Sequence, residues 1–210
     1  MATSFYTPIA KEFSQTRHSP WPEFNLLLPY LKPNFKLLDL GCGNGRLYKF
    51  LKKHKKISYL GMDNNKRLLA LAKKEKPSAR FLFGDMTKIP SKSDSFDIIA
   101  CVAAFHHLPS KKLRLQALSE MHRILKKNGV LFLTNWNLFQ PKYKKYIWLS
   151  YLRLRPRDTF IPWSDSGIKR YYHAFTTKEL SKLLQKSGFR IIHCEIGRNL
   201  VYICQKLSKS

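Results

Sequence analysis

Three glycines alternate at Gly41, Gly43 and Gly45, directly after the acidic Asp39. Glycine lets a backbone take positive φ, and lets main-chain atoms approach a ligand with no Cβ in the way. An apolar run, Phe35 to Leu38, precedes the turn, and Leu47, Phe50 and Leu51 follow it on one helical face. A strand that ends in an acid, turns through glycines and feeds a helix makes a cofactor loop. Gly41, Cys42 and Gly43 would form its cradle. The spacing is Gly-x-Gly-x-Gly, not the Gly-x-Gly-x-x-Gly of dinucleotide folds, and no Lys-Ser or Lys-Thr follows as in a phosphate-binding loop.

The rest of such a site can be sought at later strand ends. Asp63, in Gly61-Met62-Asp63-Asn64, lies about 20 residues past the turn, where an acid accepts hydrogen bonds from ribose hydroxyls. Asp85-Met86 ends the next run. Any one of these aspartates could be a cap or turn residue; their order at successive strand ends carries the weight. Ala103-Ala104-Phe105-His106-His107-Leu108 closes a further run and would face the reacting group. His106 and His107 could bind an acceptor there, or one could be a core and the other a surface histidine. No third ligand accompanies them, so no metal is expected.

These residues must be carried by elements, and the pattern supplies them. Candidate strands are Lys36 to Asp39, Ile57 to Asp63, Arg80 to Phe83, Phe96 to Val102, Val130 to Thr134, Phe189 to Ile196 and Leu200 to Gln205. Helical patterns lie between, over Arg46 to Lys53, Lys66 to Lys74, Lys111 to Leu125 and Thr177 to Ser187, with stops expected at Asn128-Gly129 and Gly188. Alternation of this kind predicts an α/β fold: a doubly wound, mostly parallel seven-stranded sheet, Rossmann-like. The short Gly197-Arg198-Asn199 link permits only a hairpin, so the sheet should close with an antiparallel pair. One domain over 1–210 is expected.

Two segments stand outside the alternation, Ser4 to Tyr30 and Asn135 to Tyr172. The second is too long for an ordinary loop, and insertions of that length tend to be functional. It mixes Arg153, Arg155, Arg157 and Arg170 with Trp163, Tyr171 and other aromatics. Both are expected to form a lid over the acceptor, the insertion binding phosphates and unstacked bases.

Thirty-nine Lys and Arg against thirteen Asp and Glu give a net charge of +26, a field that attracts polyanions, nucleic acid above all. Lys52-Lys53-His54-Lys55-Lys56 reads as a solvated helix end that would add to phosphate attraction. Cys42, Cys101, Cys194 and Cys204 are scattered, which predicts free thiols, a reducing compartment and no structural zinc. No apolar run approaches the ~18 residues of a membrane span and no signal-peptide core is present, so a cytoplasmic protein is expected. Tyr146 to Arg155 could still lie on a membrane surface.

The Asp39 to Gly45 stretch resembles motif I of class I S-adenosylmethionine-dependent methyltransferases. That resemblance implies S-adenosylmethionine as cofactor, with Asp39 holding the loop or the amino group of the methionine moiety, Asp63 and Asn64 at the ribose, Asp85 and Met86 at adenine, and Ala103 nearby. The residues after the fourth strand are neither the Asn-Pro-Pro-Tyr box of nitrogen-methylating enzymes nor a Pro-Cys nucleophile, which leaves oxygen or carbon acceptors. Three further stretches are more specific: Phe13 to Pro22, containing Thr16-Arg17 and Trp21-Pro22; Phe105 to Leu108; and Asp158 to Trp163 followed by Lys169-Arg170-Tyr171-Tyr172-His173. In combination they resemble the tRNA wobble-uridine carboxymethyl methyltransferases and the methyltransferase domain fused to an AlkB-type oxygenase in animals. The chain departs from them at Gly61-Met62-Asp63-Asn64-Asn65 and in an insertion that reads as shortened.

The resemblance implies methyl transfer to the carboxylate of a 5-carboxymethyluridine in the anticodon loop of tRNA, and a small zinc-binding activator subunit as partner. Such a carboxylate is ionised at pH 7, so positioning matters more than a strong base. Arg17 could grip it with its planar fork, or pair with an acid on the lid. Trp21 or Trp163 could stack on a flipped uracil, or anchor the lid by packing. A small-molecule O- or C-methyltransferase would leave the charge unexplained. A non-catalytic RNA-binding protein with a relic cofactor fold would not bind the cofactor.

Overall fold

Strand residues here sort by parity between two helical layers. In β1 (Lys36–Leu40), Leu38 and Leu40 face one layer while Leu37 faces the other. In β4 (Phe96–Val102) the same split divides Ile99 and Cys101 from Ile98 and Ala100. A sheet buried on both faces needs apolar residues at every position, which is why these strands read as continuous runs. The computed structural model describes residues 5–17, 19–54, 57–164 and 166–207. Ser4, Lys55 and Lys56, named above, and His18 of the Phe13 to Pro22 stretch lie outside them.

The other strands are β2 (Ser58–Asp63), β3 (Arg80–Phe83), β5 (Leu125–Trp136), β6 (Asp158–Pro162), β7 (Lys169–His173), β8 (Phe189–Ile196) and β9 (Asn199–Lys206). The main sheet has seven strands in the order β3-β2-β1-β4-β5-β9-β8. β1 to β5 run parallel, and β9 is antiparallel to both β5 and β8. The expected sheet and closing hairpin are therefore present. Strand order reverses between β1 and β4, and such a switch point leaves a crevice at the strands' carboxyl ends.

The helices are α1 (Ala10–Gln15), α2 (Arg46–Leu51), α3 (Lys66–Glu75), α4 (Lys111–Ile124), α5 (Lys144–Leu152) and α6 (Thr177–Lys186), with a 3-10 helix at Pro22–Tyr30. α4 and α6 cover one sheet face with Ala117, Leu118, Met121, Leu180 and Leu184; α2 and the 3-10 helix cover the other with Leu47, Phe50, Phe24 and Leu27. α6 stops as expected, with Gly188 at φ 83° and its N–H donating to the Gln185 carbonyl. The helix expected over Lys111 to Leu125 is present, but Asn128-Gly129 is not its stop. It ends at Ile124, and Asn128 (φ 62°) sits instead in the irregular start of β5, where the pairing with β4 shifts register.

The described residues of both segments outside the alternation form regular elements. The insertion forms α5 and the β6–β7 hairpin, with its own small core of Leu138, Ile147, Ile161, Tyr172 and Ala174. A polar network ties the hairpin to α4 and α6. The Tyr171 hydroxyl donates to Asp158 (2.5 Å), His173 bridges Asp158 (2.6 Å) and Glu179 (3.0 Å), and Arg157 donates to Glu179 (2.6 Å). No described helix is long and apolar enough to cross a membrane.

Candidate functional site

A cavity of about 360 Å³ opens where the strand order reverses, between the glycine turn after β1 and the segment after β4. Gly41 has φ 74°, and a Cβ built on it would lie 2.4 Å from the Ala104 Cβ. The turn thus passes too close to the β4 loop for any side chain. It is pinned from below by the Met62 carbonyl, which accepts from the N–H groups of Gly41 (2.7 Å) and Cys42 (3.0 Å). It is pinned from above by Asn44, whose side-chain amide donates to the Ser14 carbonyl of α1 at 3.3 Å.

Asp63 holds the same loop from its side. One carboxylate oxygen accepts from the Gly43 N–H and the other from the Asn65 N–H, both at 2.8 Å. Burial raises its pKa, and these N–H donors act against the rise. Asn64, Asp85 and Met86 also line the cavity. One Asp85 oxygen takes the Thr87 N–H (2.7 Å) and hydroxyl (2.6 Å), the turn-forming role that its position allowed. Ala103 borders the cavity in the left-handed region (φ 51°), its N–H fixed by the Thr134 carbonyl at 3.0 Å.

Asp39 is buried beneath the turn, where Tyr59 donates to it at 2.7 Å. Desolvation raises its carboxyl from the ordinary 3.8 to about 7 despite that hydrogen bond, with Asp63 adding repulsion. A carboxyl raised on folding binds protons more tightly in the native state, so its stabilising contribution is complete below about pH 4 and is lost as pH rises through about 7. Asp39→Asn is therefore expected to flatten the fall in apo-protein stability between pH 4 and 7, by on the order of a few kcal/mol. Urea titrations of both proteins across that range check it; parallel curves would refute the assignment.

The acceptor side is built from the two histidines and the insertion. His106 is buried, and its Nδ1 accepts the Trp136 N–H at 3.3 Å, which leaves the proton on Nε2. That Nε2 has no partner at hydrogen-bonding distance among the described residues. His107 donates from Nδ1 to the Tyr171 carbonyl (2.7 Å) and accepts at Nε2 from the Tyr6 hydroxyl (2.9 Å). Burial lowers His106 well below its ordinary value and takes His107 to about 4, so both are neutral near pH 7.

Arg170 lies opposite. It is 3% exposed, inside a cage formed by the rings of Trp163 (4.7 Å), Tyr172 (5.2 Å), Trp136 (5.4 Å) and Tyr6 (5.8 Å). No carboxylate pairs with it among the described residues, and its Nε lacks a partner. Arg17 also has no carboxylate partner among the described residues, and it rests on Phe13 (5.1 Å) and Trp163 (5.2 Å). Burial and the nearby Arg170 lower its pKa. Trp21 lines the cavity with the Arg46 guanidinium over its ring at 4.2 Å.

The cavity gathers the proposed cofactor residues together with Arg17, Trp21, His106, His107 and Arg170. Five other residues singled out in the sequence lie elsewhere. Trp163 packs behind Arg17 and Arg170 without lining the cavity. Tyr171 points away because side chains alternate along β7: Arg170 and Tyr172 face the cavity, Tyr171 and His173 the polar network. Arg153 and Arg155 are exposed outside the cavity, and Arg157 is spent on Glu179, so the three do not form one cationic cluster. Tyr6, Arg46, Trp136 and Tyr172 line the cavity and were not foreseen. Strand alternation could have found Tyr172 from Arg170; nothing in the sequence marks Tyr6 or Arg46.

Residues 38–133 match the methyltransferase-domain family. The chain is 28% identical over 209 residues to the tRNA (carboxymethyluridine(34)-5-O)-methyltransferase of Schizosaccharomyces pombe, covering 89% of this chain and 87% of that one. It is 32% identical over 190 residues to a candidate methyltransferase of Encephalitozoon cuniculi, covering 90% of this chain and 86% of that one. It is 35% identical over 140 residues to the tRNA (carboxymethyluridine(34)-5-O)-methyltransferase alkbh8 of Xenopus tropicalis, covering 67% of this chain but 21% of that much longer protein. Among solved structures, an S-adenosylmethionine-dependent methyltransferase from Methanosarcina mazei superposes with a TM-score of 0.79 at 24% identity, over 91% of this chain and all of that one. A chain from a Haloferax volcanii complex between the Trm112 methyltransferase activator and a methyltransferase gives 0.77 at 16% identity, over 100% and 99%.

Proposed function

The chain belongs to the S-adenosylmethionine-dependent methyltransferase family that contains the tRNA carboxymethyluridine methyltransferases, and we propose that it esterifies the carboxylate of a 5-carboxymethyl-type wobble uridine in tRNA. The observation that carries the acceptor half of this reading is Arg170. A guanidinium buried without a counter-ion costs several kcal/mol, and such a cost is kept where an incoming anion repays it. A planar carboxylate matches its fork.

The cleft suits the cofactor on its own geometry. Gly41 clears the space that a side chain would fill, and the Asp63 carboxylate stands at the strand end where ribose hydroxyls are held. Of the cavity-lining residues, Asn64, Asp85 and Met86 would hold the adenine side, and Asp39, Gly41, Cys42, Gly43 and Ala103 the methionine side. When bound, S-adenosylmethionine supplies an electrophilic methyl group.

The protein's own work is positioning. Arg170 holds the acceptor carboxylate with one oxygen free to attack, and Arg17 supplies a second cation at the cavity wall. His106 and His107, kept neutral by burial, take no proton; the His106 Nε2–H and the Tyr172 hydroxyl, without a hydrogen-bond partner among the described residues, would donate to the uracil or its substituent. A carboxylate nucleophile carries no proton to remove, so the transfer needs no general base. Trp21 offers a stacking face for the flipped base. The cytosol, where tRNA and four free cysteines both belong, is the proposed location, and a small activator subunit like the one in the Haloferax complex is a proposed partner.

Nucleoside mass spectrometry of tRNA from cells with and without the gene tests the reading. The 5-carboxymethyl methyl ester is expected to disappear on deletion, leaving the free acid. An unchanged ester, or activity of the pure protein on small carboxylic acids and none on tRNA, would overturn it.

A further inference from the structure

A second concavity, about 580 Å³, adjoins the first and shares Arg17 and Arg46 with it. Its remaining walls are Tyr48, Lys49, Lys52 and Lys53 from α2 and the turn after it, and Glu75, Lys76, Pro77 and Ser78 from the end of α3. Glu75 is its only acid among the described residues, and that carboxylate already accepts from the Ser14 hydroxyl (2.9 Å) and pairs with Lys76 (3.0 Å). Lys49, Lys52 and Lys53 are exposed and lack ion pairs among the described residues.

The sequence of α2 explains the groove. Arg46, Lys49 and Lys53 recur at helical spacing on one face, with Lys52 beside them, while Leu47, Phe50 and Leu51 fill the core from the other. Cations crowded along one face repel one another, an arrangement that a polyanion relieves. Arg46 sits at the junction of the two concavities, stacked on Trp21 and within the reach of Arg17, whose charge it feels.

A base extruded from a tRNA loop enters a cavity only if its own backbone passes the cavity mouth. The flanking phosphates then lie along whatever surface continues from that mouth. We propose that this groove carries the sugar-phosphate backbone of the RNA strand flanking the methylated nucleotide, with phosphates on Lys49, Lys52 and Lys53 and the Arg17–Arg46 pair at the bend into the cavity. The inference rests on the tRNA reading above. It moves the main backbone contact from the insertion, where Arg157 is consumed by Glu179 and Arg153 and Arg155 border neither concavity, to the α2 face.

The experiment compares Lys49→Ala/Lys52→Ala/Lys53→Ala with the parent protein and with Arg153→Ala/Arg155→Ala. Unmodified tRNA binding is titrated over a salt series, and S-adenosylmethionine binding is followed by calorimetry. The lysine variant is expected to bind tRNA ten- to a hundredfold more weakly at low salt. Its log K against log salt slope should be shallower by about 2, since three phosphate contacts at ~0.7 each are lost. Cofactor affinity and melting temperature should match the parent's. Parental tRNA affinity and slope in the lysine variant overturn the groove while leaving the methyltransferase reading intact. The full loss appearing only in the Arg153/Arg155 variant does the same. A parent protein that binds no tRNA at all brings down the tRNA reading itself.

Discussion

Arg170→Met is expected to fold normally, bind S-adenosylmethionine with parental affinity and lose catalytic efficiency on tRNA by on the order of 10²–10³. The expectation follows from what surrounds the guanidinium. Truncating one partner of a buried, hydrogen-bonded charge pair costs about 2–5 kcal/mol, and each 1.36 kcal/mol is a factor of ten in rate. In the free enzyme, however, Arg170 has no carboxylate partner among the described residues; it meets the rings of Tyr6, Trp136, Trp163 and Tyr172 and donates one long bond, 3.5 Å, to the Tyr6 hydroxyl. Removing a buried charge of that kind relieves desolvation, while the lost ring contacts cost roughly 0.5–2 kcal/mol each. Opposing terms of similar size should leave the melting temperature near the parent's. Activity and stability therefore separate, which distinguishes a substrate-holding arginine from a structural one. Arg170→Lys keeps the charge but not the fork, and should recover only part of the loss. A variant that unfolds easily yet, when folded, turns over tRNA at the parental rate would make the cage a packing device and leave the acceptor anion without a holder.

The cofactor half of the site was more legible in the sequence than the acceptor half, and the reason is geometric. Asp39, Gly41, Gly43, Asp63 and Asp85 sit at or next to carboxyl ends of consecutive parallel strands, so once the strands are found their convergence follows from the fold. Glycine at 41 also leaves a local mark, because the close approach to Ala104 forbids a side chain whatever else changes. The acceptor half is assembled from Tyr6, Arg17, His106, Trp136, Arg170 and Tyr172, and the Arg170–Tyr6 contact alone spans a sequence separation of 164. No periodicity reports such a meeting. Composition marked the insertion as basic and aromatic but could not say which cations are free. That depends on acids far along the chain, as Glu179 does for Arg157. The misplaced stop after α4 has a local cause: Asn128 does take a left-handed φ, but in a β5 irregularity instead of a helix cap, and both environments select the same residue.

Asp63→Asn is the second change with a large expected effect, despite being isosteric. Both carboxylate oxygens accept backbone N–H groups, one from Gly43 in the cofactor turn and one from Asn65 at the start of α3. An amide has a single acceptor oxygen, so in either orientation its NH₂ faces one of those N–H donors. Leaving a buried donor unpaired costs about 1–3 kcal/mol, and losing a charge-assisted hydrogen bond to ribose costs about 1.5–3 more. Together these terms place the loss of S-adenosylmethionine affinity at a hundredfold or above, since 1.4 kcal/mol is a factor of ten in Kd. Because the Gly43 N–H belongs to the turn itself, the amide should also loosen the loop that Asn44 ties to α1, lowering the melting temperature of the apo protein by several degrees. Calorimetry with S-adenosylmethionine and a thermal melt measure the two effects separately. If Asp63→Asn bound the cofactor within about threefold of the parent, the ribose would have to be held elsewhere, and the order of contacts along the strand ends would need to be redrawn from the glycine turn outward.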